Sequence, residues 1–143
     1  MKYYRDNWAY AGGVLFVVIS FIFGLSRDYI SQMQAIMITF FMSLIIHEFE
    51  EYAFPGGFPV AWNTYVLGET EVGDRFPLNT KSAFVVNICC AYPIYLLGII
   101  FYKTHYLTIF ITYFTMAQSF MHGIVINKKW VHFIILDLLL HFS

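Results

Sequence analysis

The sequence predicts an all-α protein, a polytopic bundle of membrane-spanning helices. Of its 143 residues, 59% are hydrophobic and only 12% are charged. A soluble domain carries about twice that charged fraction. The chain also contains four apolar stretches, each near the ~20 residues that an α-helix needs to cross a bilayer. The length suits one domain over residues 1–143, and a net charge of −1 argues against nucleic acid as a partner.

The first two predicted spans lie close together in the chain. The first is Trp8–Leu25, and the second runs from about Met33 to His47 and continues as helix through Glu51. The short connection "SRDYISQ" between them predicts antiparallel neighbours. The sequence "FPGGFP" then has to end the second helix, because proline cannot continue a helix and paired glycines permit positive φ.

The last two predicted spans are Ala83–Tyr102 and Tyr106–Ile126. Pro93 predicts a kink in the third span, and the adjacent Cys89 and Cys90 are interpreted as two buried thiols. The remaining apolar tail is too short to cross a bilayer, so we expect a partial fifth element there.

The distribution of positive charge predicts a cytoplasmic N-terminus. Lysines and arginines are enriched in the cytoplasmic loops of membrane proteins. With the N-terminus inside, the cytoplasmic side collects Lys2, Arg5, Arg75, Lys81, Lys128 and Lys129, and the opposite side holds Arg27 and Lys103.

A polar stripe closes the second span in the segment "HEFEE". On a helix, His47 shares one face with Glu50 and Glu51, which follow it by three and four residues. Ser43 extends this stripe one turn inward, where it would support the site. Glu48 lies off the stripe, and we expect it to point toward lipid head groups. A histidine with carboxylates at this spacing can offer two ligands to one metal, as in helical bundles that hold di-iron or di-manganese centres.

The fourth span supplies a counterpart to this stripe. Thr115, Ser119 and His122 recur at helical spacing, with Gln118 beside them. Because the second and fourth spans run in the same direction, His47 and His122 are predicted to lie toward the same membrane face. Gln118 and Ser119 would then support the ligands.

These residues predict a divalent metal: zinc, iron or manganese. Two histidines and one carboxylate would leave an open coordination position, as in catalytic zinc sites, and engaging both glutamates suits a second metal or iron. His47 and His122 would be ligands with Glu50 or Glu51, and the other glutamate would be a general base. The sequence thus favours a metal-dependent membrane enzyme acting at the bilayer surface on a lipid-like or small hydrophobic substrate.

Other interpretations stay open. In one of them, Glu50 and Glu51 are solvated or paired with Arg75 or Lys81, and His122 is a residue that forms hydrogen bonds within the helical bundle. Carboxylates are disfavoured at a helix C-terminus, which makes a purely structural role less natural. In a second interpretation, the chain is a small proton-coupled transporter and the polar stripe relays protons. In a third, the chain is a scaffold subunit and the stripe only holds its helices together.

The segment His47–Glu51 resembles the signature of the HXXEE family of small bacterial membrane proteins. The sequel "YAFPGGFP" and a later helix with a histidine before "NKK" are similar to that family as well, over about residues 40–129. The resemblance implies that His47, Glu50, Glu51 and His122 are the characteristic polar residues. It implies no reaction.

The tail departs from that family after Lys129. The family pattern has a Tyr-x-Pro-Gly turn and further apolar helix there, whereas this chain reads "WVHFIILDLLLHFS". If Phe133–Asp137 were encoded TTT-ATA-ATC-CTG-GAT, reading from the last T of Phe133 would give Tyr-Asn-Pro-Gly. We hypothesise that the tail from about Lys129 is a frameshifted reading of a longer product, in which His132 and Asp137 have no functional meaning. The codons of the gene test this.

Overall fold

The predicted helices are present in the computed structural model, which describes residues 2–75 and 77–126. Within these ranges the regular structure is entirely helical. The α-helices are α1 (Lys2–Ser26), α2 (Gln32–Tyr52), α3 (Phe58–Ala61), α4 (Thr80–Phe84), α5 (Tyr92–Ile100) and α6 (His105–Phe120). A 3₁₀ turn, Arg27–Tyr29, follows α1. The π-helical segments are Trp62–Val66 after α3, Val85–Ala91 between α4 and α5, and Met121–Ile126 after α6.

Three of these helices are long and apolar enough to cross a membrane: Tyr3–Tyr29, Gln32–Tyr52 and the continuous helix Thr80–Ile100. The all-α prediction and the first three predicted spans are therefore confirmed as apolar helices of the right length. The fourth predicted span is helical from His105 to Ile126, but it is not among the three, and its crossing stays a prediction. The predicted partial fifth element and the frameshift hypothesis concern residues outside the described ranges.

The chain divides into two compact units, Met1–Ile111 and Thr112–Ser143. The boundary falls inside α6. In the first unit, α2 packs against α1 and α5, and α1 also contacts α4. One core cluster consists of Met37, Phe41, Leu44, Ile45, Tyr95 and Ile111, and a second consists of Trp8, Ala9 and Ala83.

Glycines let the helices of the first unit approach closely. A Cβ at Gly13 would lie 2.8 Å from Cδ2 of Phe49, and a Cβ at Gly98 would meet the side chain of Ile111. Lipid tails are as apolar as these side chains, so tight packing favours helix association here more than removal from water does. The contact between Gly13 and Phe49 thus brings the polar end of α2 close to α1, and Gly98 allows α5 and α6 to approach.

The end of α2 and the start of α4 follow from local chemistry. Gly56 and Gly57 adopt φ of 75° and 87°, and the Gly56 N–H donates to the Glu50 carbonyl at 3.0 Å, which closes the last turn of α2. Asn79 caps α4 by accepting from the N–H groups of Lys81 and Ser82, both at 3.0 Å. The predicted break and restart of helix are confirmed.

The helix around Pro93 widens into a π-helix rather than remaining regular. The Tyr92 N–H donates to the Asn87 carbonyl five residues back. Such segments appear where the regular bonding pattern is interrupted, as it is by a proline, which lacks an N–H. Cys89 and Cys90 are exposed and unbridged on this segment. Their prediction as buried thiols is wrong, since the π-helical turn directs them away from the core.

The loop between α2 and α4 is ordered around Asn63, which is fully buried. Its Nδ2 donates to the carbonyls of Gly73, Arg75 and Leu78 at 2.8, 2.8 and 2.6 Å. Its Oδ1 accepts from the Leu78 N–H at 3.3 Å. One side chain thus ties Gly73, Arg75 and Leu78 to the segment Trp62–Val66.

Candidate functional site

His47 and Glu51 form a side-chain pair on the last two turns of α2. The Nε2 atom of His47 lies 3.3 Å from the Oε1 atom of Glu51, and the two side chains are 27% and 11% exposed. The pair joins residues four apart, so ordinary helix geometry produces it. The predicted stripe is therefore realised between these two residues.

Glu50 and Ser43 do not join this pair. Both residues are exposed on α2. The helical turn of 100° per residue separates Glu50 from Glu51, and it carries the Glu50 side chain toward solvent. Of the two predicted carboxylates, Glu51 is the one beside His47, while Glu50 remains accessible.

The residues predicted on the fourth span belong to the second unit. His122 is half-buried on the π-helical segment Met121–Ile126, and Gln118 is half-buried one turn before it. Ser119 is exposed, and its Oγ donates to the Thr115 carbonyl at 2.9 Å. The role of His122 as a third ligand, and the supporting roles of Gln118 and Ser119, stay predictions from the sequence.

Glu48 does not point toward lipid head groups, and that prediction is wrong. The residue is only 2% exposed. It follows Leu44 and Ile45 by four and three residues, and both of those belong to the core face of α2. The periodicity that buries them also buries Glu48, whose carboxyl group neighbours the hydroxyl of Tyr92 on α5.

The groups around Glu48 leave its two carboxyl oxygens without well-formed hydrogen bonds. Neither of its carboxyl oxygens, nor the Tyr92 hydroxyl, makes a well-formed hydrogen bond to any described residue. Glu51 lies one turn away on the same helix and adds a second carboxylate to the region. An acidic cluster thus sits inside the apolar part of the first unit, near the C-terminal end of α2.

Aromatic rings surround the same end of the first unit. The rings of Trp8 and Tyr52 lie 5.1 Å apart, Tyr52 and Phe58 6.2 Å, and Phe58 and Trp62 5.8 Å, measured between centroids. Trp and Tyr are enriched where membrane proteins meet the lipid head groups. An aromatic cluster thus lies at the end of α2 that carries the His47–Glu51 pair.

The donor set of the His47–Glu51 pair suits a metal. An imidazole nitrogen and a carboxylate oxygen are ligands that zinc, iron and manganese all accept. The carboxylate also stands at the negative end of the α2 dipole, where it is disfavoured by about 0.3–1 kcal/mol, and a cation would offset that cost. The pair is therefore chemically compatible with a bound divalent cation.

Sequence reasoning missed Glu48, Tyr92 and Asn63. A signal for Glu48 was present, since its spacing from Phe41, Leu44 and Ile45 places it on the buried face of α2. The position of Tyr92 depends on the packing of α5, and the hydrogen bonds of Asn63 reach residues ten to fifteen positions later. No local pattern encodes either relationship.

Comparison with known proteins adds no relative. No family model, no curated protein and no solved structure matches this chain.

Proposed function

We propose that this chain is a metal-dependent membrane enzyme of the HXXEE type. It acts at the bilayer surface on a lipid-like or small hydrophobic substrate. The observation that supports this proposal is the half-buried pair of His47 and Glu51, with Nε2 and Oε1 3.3 Å apart at the end of an apolar helix. The proposed topology is multi-pass with a cytoplasmic N-terminus.

The position of the pair favours a reaction at the interface. The pair lies on the last two turns of α2, where the apolar helix gives way to the loop that begins after Tyr52. A group at this level meets both water and the upper part of a lipid. A substrate that is mostly hydrocarbon would therefore reach the pair without leaving the membrane.

The roles divide between the two carboxylates. Glu51 lies beside His47 and would be a ligand, and His122 is the third ligand that we predict from the sequence. Glu50 is exposed and would act as a general base toward water. The metal would lower the pKa of water for hydrolysis or, if it is iron, support oxidation.

Elemental analysis of the detergent-purified full chain tests the proposal. We expect about one or two equivalents of zinc, iron or manganese in the wild type. The His47→Ala/His122→Ala double variant should retain none. The matched control is His105→Ala, which removes an exposed histidine at the start of α6 and should retain the wild-type amount. Equal metal content in all three proteins would contradict the proposal.

A second candidate function is a small transporter. The buried Glu48 within an apolar helix favours it, because ionisable groups inside membranes mark substrate or ion pathways. Vesicles that contain the full chain would then show solute uptake in response to a proton gradient. A metal-free protein with such uptake would favour the transporter over the enzyme.

A further inference from the structure

A long apolar groove runs along the surface of the first unit between α1 and the helix Thr80–Ile100. Its volume is about 640 Å³, and its lining is predominantly apolar. It lies among residues that would face the hydrocarbon of a bilayer, since Val14 and Leu15 on α1 are both exposed. The lining includes Trp8, Tyr10, Val14, Leu15, Phe84 and Ile88.

Gly12 and Tyr92 line the same groove. A Cβ at Gly12 would lie 3.2 Å from the Tyr92 hydroxyl oxygen, so this hydroxyl stands directly against the α1 backbone. The groove therefore does not end on hydrocarbon alone. Tyr92 adds a polar group to the lining, and the absence of a side chain at Gly12 makes room for its hydroxyl.

Glu48 also approaches that hydroxyl. Its carboxyl group neighbours Tyr92, it is 2% exposed, and both of its oxygens lack a well-formed hydrogen bond to any described residue. No lysine or arginine in the described ranges forms an ion pair with it. A buried carboxylate without a partner is costly, whereas pairing with a cation that also donates hydrogen bonds offsets that cost.

We propose that the groove and Glu48 together bind a single-chain amphiphile with a primary ammonium head group. Its alkyl chain would lie along α1 in the groove, and its ammonium would donate to the Glu48 carboxylate and the Tyr92 hydroxyl oxygen. Entry requires the Tyr92 side chain to turn away from Gly12. This site does not involve the His47–Glu51 pair, so it stands whether or not a metal binds there.

The negative charge of the Glu48 carboxylate favours an ammonium head group over a carboxylate or a hydroxyl. A fatty acid would bring a third carboxylate toward Glu48 and Glu51, which is repulsive in a medium of low dielectric constant. An alcohol would donate one hydrogen bond but would leave the charge of Glu48 uncompensated. An ammonium group has three N–H donors and the opposite charge, so it satisfies both carboxyl oxygens and has one donor left for Tyr92.

Photo-crosslinking of the full chain in phosphatidylcholine nanodiscs tests this site, because that lipid has no primary amine to compete. Three diazirine probes of equal chain length would carry an ammonium, a hydroxyl or a carboxylate head. We expect the ammonium probe to label the peptides of α1 and Thr80–Ile100 roughly tenfold more than the other two. Glu48→Gln should reduce its labelling to the level of the alcohol. Glu50→Gln, an exposed position on the same helix, should not.

A second pair of variants tests the proposal independently, in case Glu48→Gln does not fold. Val14→Trp narrows the groove at an exposed position, and Val17→Trp adds the same bulk to α1 at an exposed position that is not among the groove's lining residues. We expect loss of labelling for Val14→Trp alone. Equal labelling by all three probes, or unchanged ammonium labelling in both Glu48→Gln and Val14→Trp, would overturn the proposal.

Discussion

The Nε2 atom of His47 lies 3.3 Å from the Oε1 atom of Glu51, while the neighbouring Glu50 is exposed to solvent. Three glutamates follow His47 within four residues, and helix geometry gives each a different environment. Glu51 meets the histidine, Glu50 meets solvent, and Glu48 enters the core. Their roles should therefore separate cleanly by mutation.

Glu51→Gln should remove metal from the protein, because it replaces a charged oxygen ligand by a neutral amide. We expect the loss of affinity to exceed the roughly 10–100-fold that removal of a ligand's supporting partner costs. Metal content after dialysis against a graded chelator measures it. Glu50→Gln is the matched control and should keep its metal, although turnover would fall once a substrate is known. Metal loss in Glu50→Gln but not in Glu51→Gln would reverse the assignment.

Gly13→Ala should destabilise the first unit. Its new methyl group would lie 2.8 Å from Cδ2 of Phe49, whose ring already packs edge-on against Tyr10. Overpacking of this kind costs about 1–3 kcal/mol, which exceeds the ~0.5–1 kcal/mol that alanine gains over glycine in a helix. We expect a lower midpoint of thermal unfolding in detergent.

The control for this substitution is Gly24→Ala in the same helix. A Cβ at Gly24 meets no atom within 4 Å, so only the helix preference for alanine remains. Its unfolding midpoint should stay level or rise. If both variants unfolded at the same temperature, contact between Gly13 and Phe49 would not matter for stability.

The fold was predictable because hydropathy and length report directly on membrane helices. The paired glycines after α2 also carry a local signal for the end of that helix, and both adopt positive φ. Glu48 lies off the polar stripe, but the face it occupies is the core face that it shares with Leu44 and Ile45, not a face toward head groups.

The arrangement of the site was only partly predictable. Spacing places a carboxylate on the helix face of His47, since residues three and four apart on a helix are neighbours. It gives no choice between Glu50 and Glu51, which both lie within reach of that face. The structure shows that Glu51 makes this contact and that Glu50 is exposed.

Asn63→Ala should loosen the loop between α2 and α4. The amide group of Asn63 has two hydrogens and three carbonyl acceptors, so at least one hydrogen is shared. Each lost hydrogen bond weakens the closed loop by about 0.5–1.5 kcal/mol. Limited proteolysis of residues 67–79 should become at least several-fold faster. Thr70→Ala alters an exposed residue of the same loop and should be cleaved at the wild-type rate.

The order of this loop should also depend on pH through Glu69. Its Oε1 accepts from the N–H groups of Glu71 and Val72 at 3.0 and 3.4 Å, and its Oε2 lies 3.1 Å from Nη2 of Arg75. The hydrogen bond from Glu71 is the main cause that lowers the pKa of Glu69 below its ordinary value near 4.5, with smaller contributions from Val72 and Arg75.

Because the pKa of Glu69 is lower in the folded loop than in the unfolded chain, its ionised form favours the folded loop. That contribution is complete above the ordinary pKa of glutamate and is lost as the pH falls through the lowered value. Hydrogen exchange at residues 69–75 should therefore show more opening at a pH below the lowered pKa of Glu69 than at neutral pH, after correction for intrinsic rates. Glu69→Gln should flatten this dependence, whereas Asp74→Asn in the same loop should preserve it. A wild-type loop that opens equally at both pH values would exclude Glu69 as the group that orders it.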